Sequence, residues 1–261
     1  MRSLMKSVPN IITCLNLFSG SLACVLAIEQ NYTGALVFII FAAIFDFFDG
    51  FAARLLKAFS PIGKELDSLA DVISFGLAPG LLVFSFLQKL EEMAGIGVGL
   101  HFVGFLIPIF AALRLAKFNI DTRQTSSFLG LPVPSNALFW GALIPTLNYN
   151  FLGRDLSAKF ADFHMPIVDE MLGSGWGIMI LVIGLVVMFS LLMVSELPMF
   201  SLKFKSYGWK GNEMPYLLIV LTVLLVFFFH IFGISLCILA YILMSAIKKL
   251  RTKRIEKLIE N

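Results

Sequence analysis

Four aspartates carry the chemistry in this sequence. Asp46 and Asp49 stand three residues apart, and Asp67 and Asp71 four apart, within the stretch DFFDGFAARLLKAFSPIGKELDSLAD at 46–71. Spacings of three and four put each pair on one face of a helix. The segment between the pairs is short, so the two helices are antiparallel neighbours and the carboxylates converge on one small volume. Anions gathered beside hydrocarbon repel one another and are costly to desolvate. A cation among them relieves both penalties, and all-carboxylate ligation suits Mg2+, Mn2+ or Ca2+ rather than zinc. Gly50, Ala53 and Gly63 are small residues beside the acids that let a ligand or a second backbone approach. Arg54 supplies a donor fork suited to phosphate. Together these describe a pyrophosphate-binding site. A lone Asp at a helix end reads as readily as a cap or a solvated rim; the set of four, with its glycines and arginine, does not.

The elements that must position these residues are membrane helices. Of 261 residues, 59% are apolar and only 14% charged, too little polar surface for a soluble domain of this length. Apolar runs long enough to cross a hydrocarbon core of about 30 Å recur along the chain. They are unbroken rather than alternating, which excludes a membrane β-barrel. The expected fold is therefore all-α, a single polytopic bundle over residues 1–261 with about eight transmembrane helices. These fall at 10–28, 34–54, 65–87, 97–117, 134–148, 174–195, 215–230 and 232–248. The fifth is short for a full span. The last two are separated only around Gly233 and read as either a tight hairpin or one broken helix. With both termini cytoplasmic, only Lys89, Arg154 and Lys159 of the 20 Lys and Arg fall on the opposite side, as the positive-inside rule requires. Merging the last two helices would put the basic tail, Lys248 to Lys257, on the wrong side. The first apolar stretch lacks a cleavage site and reads as a retained helix. Cys14, Cys24 and Cys237 have no metal or redox spacing and read as packing residues. His101, His164 and His230 fall in a helix or toward the opposite side and receive no catalytic role.

Asp46, Asp49, Gly50, Ala53, Arg54, Gly63, Asp67 and Asp71 resemble, position for position, the motif of the CDP-alcohol phosphotransferase family. The resemblance implies transfer of a phosphatidyl-type group from a CDP-linked lipid to an alcohol, with release of CMP. It implies that Asp46, Asp49 and Asp67 hold divalent metal, two Mg2+ or Mn2+ ions, with Asp71 completing the site. Asp46, Asp49, Gly50, Ala53, Arg54, Gly63 and Asp67 would line the CDP-lipid pocket, and Asp71 is the candidate general base. A metal on Asp71 would weaken it as a base, and both roles stay open. A homodimer is expected from the resemblance alone, and no nucleic-acid partner is expected.

Three later segments bear on the acceptor: LRLAKFN at 113–119, FLGLPVPSNA at 128–137 and LMVSELPMFSLKF at 192–204. They are similar to segments of the bacterial integral-membrane phosphatidylserine synthases within this family. That likeness implies CDP-diacylglycerol and L-serine as substrates and phosphatidylserine and CMP as products. It also implies a bacterial inner (cytoplasmic) membrane with the active site facing the cytoplasm. All three segments fall on the side of the carboxylates. Arg114, Lys117, Asn119 and Arg123 could meet the serine carboxylate, and Ser135 and Asn136 open the fifth helix, whose N-terminus favours anions. Ser195, Ser201 and Lys203 could complete the pocket. The plain alternative is that the cations are positive-inside residues meeting lipid headgroups. The same chemistry with glycerol 3-phosphate, inositol or an archaeal-type lipid donor is the nearest competing function. A cation transporter is remote, because it predicts midplane sites and paired repeats.

Overall fold

The computed structural model describes residues 2–95, 97–120, 128–152, 175–200, 208 and 212–259. Its helices are α1 (Arg2–Ile28), α2 (Tyr32–Leu55), α3 (Pro61–Ala94), α4 (Leu106–Ile120), α5 (Val133–Leu152), α6 (Gly175–Val194) and α7 (Glu213–Ile259). A 3-10 turn, Leu100–Phe105, leads into α4. The protein is an all-α polytopic membrane bundle: among the described residues six helical stretches are long and apolar enough to cross a bilayer. Large apolar side chains such as Ile180, Val223, Phe227 and Leu243 are exposed on them, as lipid-facing side chains are.

Local signals set the helix starts that position the acids. Asn31 caps α2, its Oδ1 accepting the Gly34 N–H at 2.9 Å. Ser60 caps α3 in the same way, accepting the Gly63 N–H at 3.0 Å, with Pro61 at the first helical position. A Ser-Pro start satisfies orphan N–H groups and presets φ, so α3 begins before the expected residue 65. Asp67 and Asp71 then lie inside the helix rather than at its first turn. Asp71 is followed directly by a π-helical segment, Val72–Leu77, which carries Ser74 and Phe75 into the core before α-helix resumes at Ala78–Ala94. Such segments concentrate at functional sites.

Small residues let the helices close up, as they do in membrane bundles. A Cβ on Gly104 would stand 2.7 Å from the Gly80 carbonyl oxygen, and one on Gly80 would stand 2.8 Å from Pro108 Cδ. α5, expected to be short, has 20 residues, about 30 Å of helix. It is not among the six apolar stretches, yet Ala137, Trp140, Ile144 and Thr146 on it are fully buried. Its neighbours are protein rather than lipid. Leu36 of α2 lies against Gly141, Phe189 of α6 stacks on Phe139 at 3.9 Å, and Ser235 of α7 donates to the Phe139 carbonyl at 2.9 Å.

α7 resolves the choice between a hairpin and a broken helix. His230 has φ 49° and ψ −128°, outside the helical region. Beyond it the chain folds back: Thr222 Oγ1 and Cys237 Sγ are 2.8 Å apart, and a Cβ on Gly233 would stand 2.7 Å from Val226 Cα. In a straight helix Thr222 and Cys237 would be about 22 Å apart. The reversal lies at His230 rather than at Gly233, where close packing of the arms requires glycine. Cys237 packs between the arms, whereas Cys14 lies exposed on the bundle surface.

Candidate active site

α1, α2 and the first turns of α3 build one acid-lined site. Carboxylate oxygens of Asp46, Asp49 and Asp67 all lie within 4.8 Å of one another. Asp49 is buried and the other two are half-buried. Among the described residues none of these carboxylates forms an ion pair, and Asp67 Oδ1 is buried without a hydrogen-bond partner. Three converging carboxylates, uncompensated and with an orphaned buried oxygen, fit a hard divalent cation. Asp71, one turn beyond Asp67, is buried and stands outside this group of three.

α1 supplies partners that sequence reasoning missed. Thr13 Oγ1 donates to Asp49 Oδ2 at 2.7 Å, and Asn16 Nδ2 donates to Asp71 Oδ1 at 3.2 Å. The signal was available: Asn10, Thr13, Asn16 and Ser19 recur every third residue along a mainly apolar helix.

A cavity of about 210 Å³ opens beside the acids. Pro9, Asn10 and Thr13 line it from α1, Asp49, Gly50 and Ala53 from α2, and Gly63, Lys64 and Asp67 from α3. The two motif glycines differ in what they do. A Cβ on Gly63 would stand 2.9 Å from both Asn10 Oδ1 and Ser60 Oγ, so glycine there lets α1 and α3 meet. Among the described residues a Cβ on Gly50 would meet only Arg54 Nη2, at 3.9 Å, leaving open space. Arg54 is exposed, and its Nε donates to the Gly50 carbonyl at 3.0 Å.

The residues expected at an acceptor pocket divide. Arg114 is buried, its Nε has no hydrogen-bond partner among the described residues, and it lies within electrostatic reach of Asp71 and of Tyr241 on the second arm of α7. Tyr241 is held by donation from its hydroxyl to the Phe200 carbonyl at 3.0 Å. Lys117 is exposed beside Leu129, Met193 and Ser195. Asn119 is tied to α3: its Nδ2 donates to Ser68 Oγ at 2.9 Å and its carbonyl accepts from Lys64 at 3.3 Å. Ser135 is half-buried; Asn136 is fully buried, with Oδ1 accepting from Trp140 Nε1 at 3.1 Å and Nδ2 unpartnered among the described residues. Ser195 binds the Leu192 carbonyl at the end of α6, a capping role. Arg123, Ser201 and Lys203 lie outside the described residues.

Two of the three segments read as acceptor signatures come together in their described parts, 128–137 and 192–200. β1 (Phe128–Leu129) pairs antiparallel with β2 (Pro198–Met199), and Gly130 N–H donates to the Leu197 carbonyl at 2.9 Å. Gly130 has φ 75°, and a Cβ there would stand 3.0 Å from Ser195 O, so only glycine permits this join. His101 lies away from the acids, paired with the buried Glu91.

A family model described as CDP-alcohol phosphatidyltransferase matches residues 6–187. The chain is 37% identical over 147 residues to a CDP-diacylglycerol--serine O-phosphatidyltransferase of Bacillus subtilis, a match covering 56% of this chain and 78% of that protein. It is 35% identical over 158 residues to a protein of the same name from Helicobacter pylori, covering 59% of this chain and 65% of the relative. It is 35% identical over 156 residues to an archaetidylserine synthase of Methanothermobacter thermautotrophicus, covering 59% and 63%.

Proposed function

Because the chain belongs to the CDP-alcohol phosphatidyltransferase family, we propose that it transfers a phosphatidyl group from CDP-diacylglycerol to L-serine, giving phosphatidylserine and CMP. The observation that carries this reading is the convergence of Asp46, Asp49 and Asp67 beside an open cavity, with Asp71 held apart from them. Serine as the acceptor is supported by the names of the Bacillus and Helicobacter relatives. The archaetidylserine synthase relative supports a second reading, the same transfer to serine from an archaeal-type lipid donor.

In this reading Asp46, Asp49 and Asp67 hold the divalent metal, two Mg2+ or Mn2+ ions, with Asp71 as a further candidate ligand. Metal bound there supplies positive charge against the pyrophosphate and the departing CMP. Gly50 and Ala53 leave room for the nucleotide, Gly63 brings α1 against it, and Arg54 meets phosphate at the exposed rim. Asp71 is the catalytic residue that takes the proton of the acceptor hydroxyl. That oxygen attacks the phosphatidyl phosphorus, and the bond to the bridging oxygen breaks with its electron pair leaving on CMP. Arg114 is the member of the acceptor set best placed for a serine carboxylate, being buried, unpartnered at Nε and near Asp71. Lys117, Asn119, Arg123, Ser135 and Asn136 complete the proposed pocket.

The protein is integral to a membrane. We place it in a bacterial cytoplasmic membrane with the site facing the cytoplasm, supported by the bias of Lys and Arg toward the acid-bearing side. A homodimer, implied by the family resemblance, belongs to the same reading. The deciding experiment is CMP release by purified protein with CDP-diacylglycerol and Mg2+ or Mn2+, offering serine, glycerol 3-phosphate and inositol separately. Release with serine alone is expected. Release with another alcohol keeps the chemistry and discards serine, and release only with an archaeal-type donor selects the second reading.

A further inference from the structure

The reaction leaves unused the buried polar side chains of α1. Thr13 and Asn16 are 3% and 0% exposed in a helix that crosses the membrane. A polar group buried there is costly unless it is bonded. Asn16 is bound at two points. Its Nδ2 donates to Asp71 Oδ1 at 3.2 Å, and its backbone carbonyl accepts from Ser74 Oγ at 3.1 Å, within the π-helical segment that follows Asp71. Asn16 Oδ1 has no partner among the described residues, so the bond to Asp71 is what orients the amide. Packing locks the contact in place: a Cβ on Gly20, one turn along α1, would stand 2.6 Å from Ser74 Cα. α1 and the π segment therefore meet at a fixed height, with Asn16 opposite Asp71.

We propose that Asn16 is a positioning residue for Asp71. It occupies Oδ1 and so presents Oδ2 to the acceptor hydroxyl. The inference rests on the transfer reaction proposed above, in which the hydroxyl proton goes to Asp71. The two bonds divide along α1: Thr13 donates to Asp49, in the group of three converging carboxylates, and Asn16 to Asp71, beyond that group. A carboxylate free to rotate would spend part of its time with neither oxygen aligned, and misplacement of this kind lowers turnover rather than substrate binding.

The test is Asn16→Leu, close in size and without a donor, made in the wild-type and Asp71→Asn backgrounds. Asn16→Ala serves if the leucine variant fails to elute as folded protein in detergent. With Asp71 intact, kcat is expected to fall about 10- to 100-fold, with KM for CDP-diacylglycerol and the stoichiometry of bound lipid unchanged. In the Asp71→Asn background, the second substitution is expected to cost no further rate, because the group it positions has gone. An unchanged kcat, a raised lipid KM in its place, or an equal loss in both backgrounds overturns the proposal. Failure of the wild-type protein to release CMP with serine removes the reaction itself, which is a separate result.

Discussion

Replacing Gly50 by alanine separates the stability of α2 from the use of the space beside it. Gly50 lies within α2, and a Cβ there meets nothing nearer than Arg54 Nη2 at 3.9 Å. Alanine in a helix interior is favoured over glycine by about 0.8–1.0 kcal/mol. For a chain of this size that raises Tm by about 2–4 °C. Among the described residues nothing requires glycine at this position, whereas a ligand in the cavity would. If the nucleotide of the donor lipid fills the cavity against Gly50, the new methyl group enters its volume. Overpacking of that kind costs about 1–3 kcal/mol, or about 5- to 150-fold in kcat/KM for CDP-diacylglycerol. Gly63→Ala is the contrast: its Cβ would crowd Asn10 and Ser60 at 2.9 Å, so stability and activity fall together. The assay pairs thermal unfolding in detergent with initial rates of CMP release across lipid concentrations. A more stable Gly50→Ala protein with wild-type kcat/KM would falsify the assignment of this cavity to the donor.

Asp67→Asn removes one of the three converging negative charges. It is expected to weaken Mn2+ binding at least about 10-fold, read by calorimetry or Mn2+ spin resonance; unchanged affinity would remove Asp67 from the metal site. Arg114→Gln is expected to raise KM for L-serine about 10- to 100-fold, the loss of a charge-assisted bond. It should also narrow discrimination against ethanolamine, which lacks the carboxylate; preserved discrimination would place the carboxylate elsewhere. Thr222→Cys should form a disulfide with Cys237 under mild oxidation, detected as loss of two maleimide-reactive thiols, because the two side chains touch across the bend. Persistence of both thiols in folded protein would contradict the hairpin.

Much of the site was legible because charge is expensive in a membrane helix. Asp46, Asp49 and Asp67 had no inexpensive structural reason to be where they are; helical spacing pairs Asp46 with Asp49, and the short connection from α2 to α3 brings Asp67 to them. Neutral polar residues carried a weaker signal. Asn10, Thr13 and Asn16 read singly as tolerable in an apolar helix, and only the packing of α1 on α2 and α3 gives them partners. Hydropathy alone places the start of α3 too late, because the Ser60-Pro61 cap opens the helix in a polar stretch ahead of the apolar run. The pairing of 128–129 with 198–199 joins segments far apart in the chain through backbone bonds and the left-handed Gly130, neither of which periodicity encodes. The hairpin turned on a single residue, His230, in a conformation that side chains other than glycine rarely adopt; nothing in its type announces it.

The burial of α5 has a consequence for how the protein is made. A segment that carries Asn136, Pro145, Thr146 and Asn148 and falls short of a lipid-partitioning hydropathy does not leave the translocon for bilayer on its own account. Its solvent is the rest of the chain. α1 to α4 emerge first and can present a partly built groove, against which Gly141 seats on Leu36. The far wall, α6 and α7, is not synthesised until later. α5 is thus expected to complete its packing only once α6 and α7 have been made. Defects in Ser235 or Phe189, remote from any chemistry, would surface as failed insertion and proteolysis of the nascent chain rather than as an impaired enzyme.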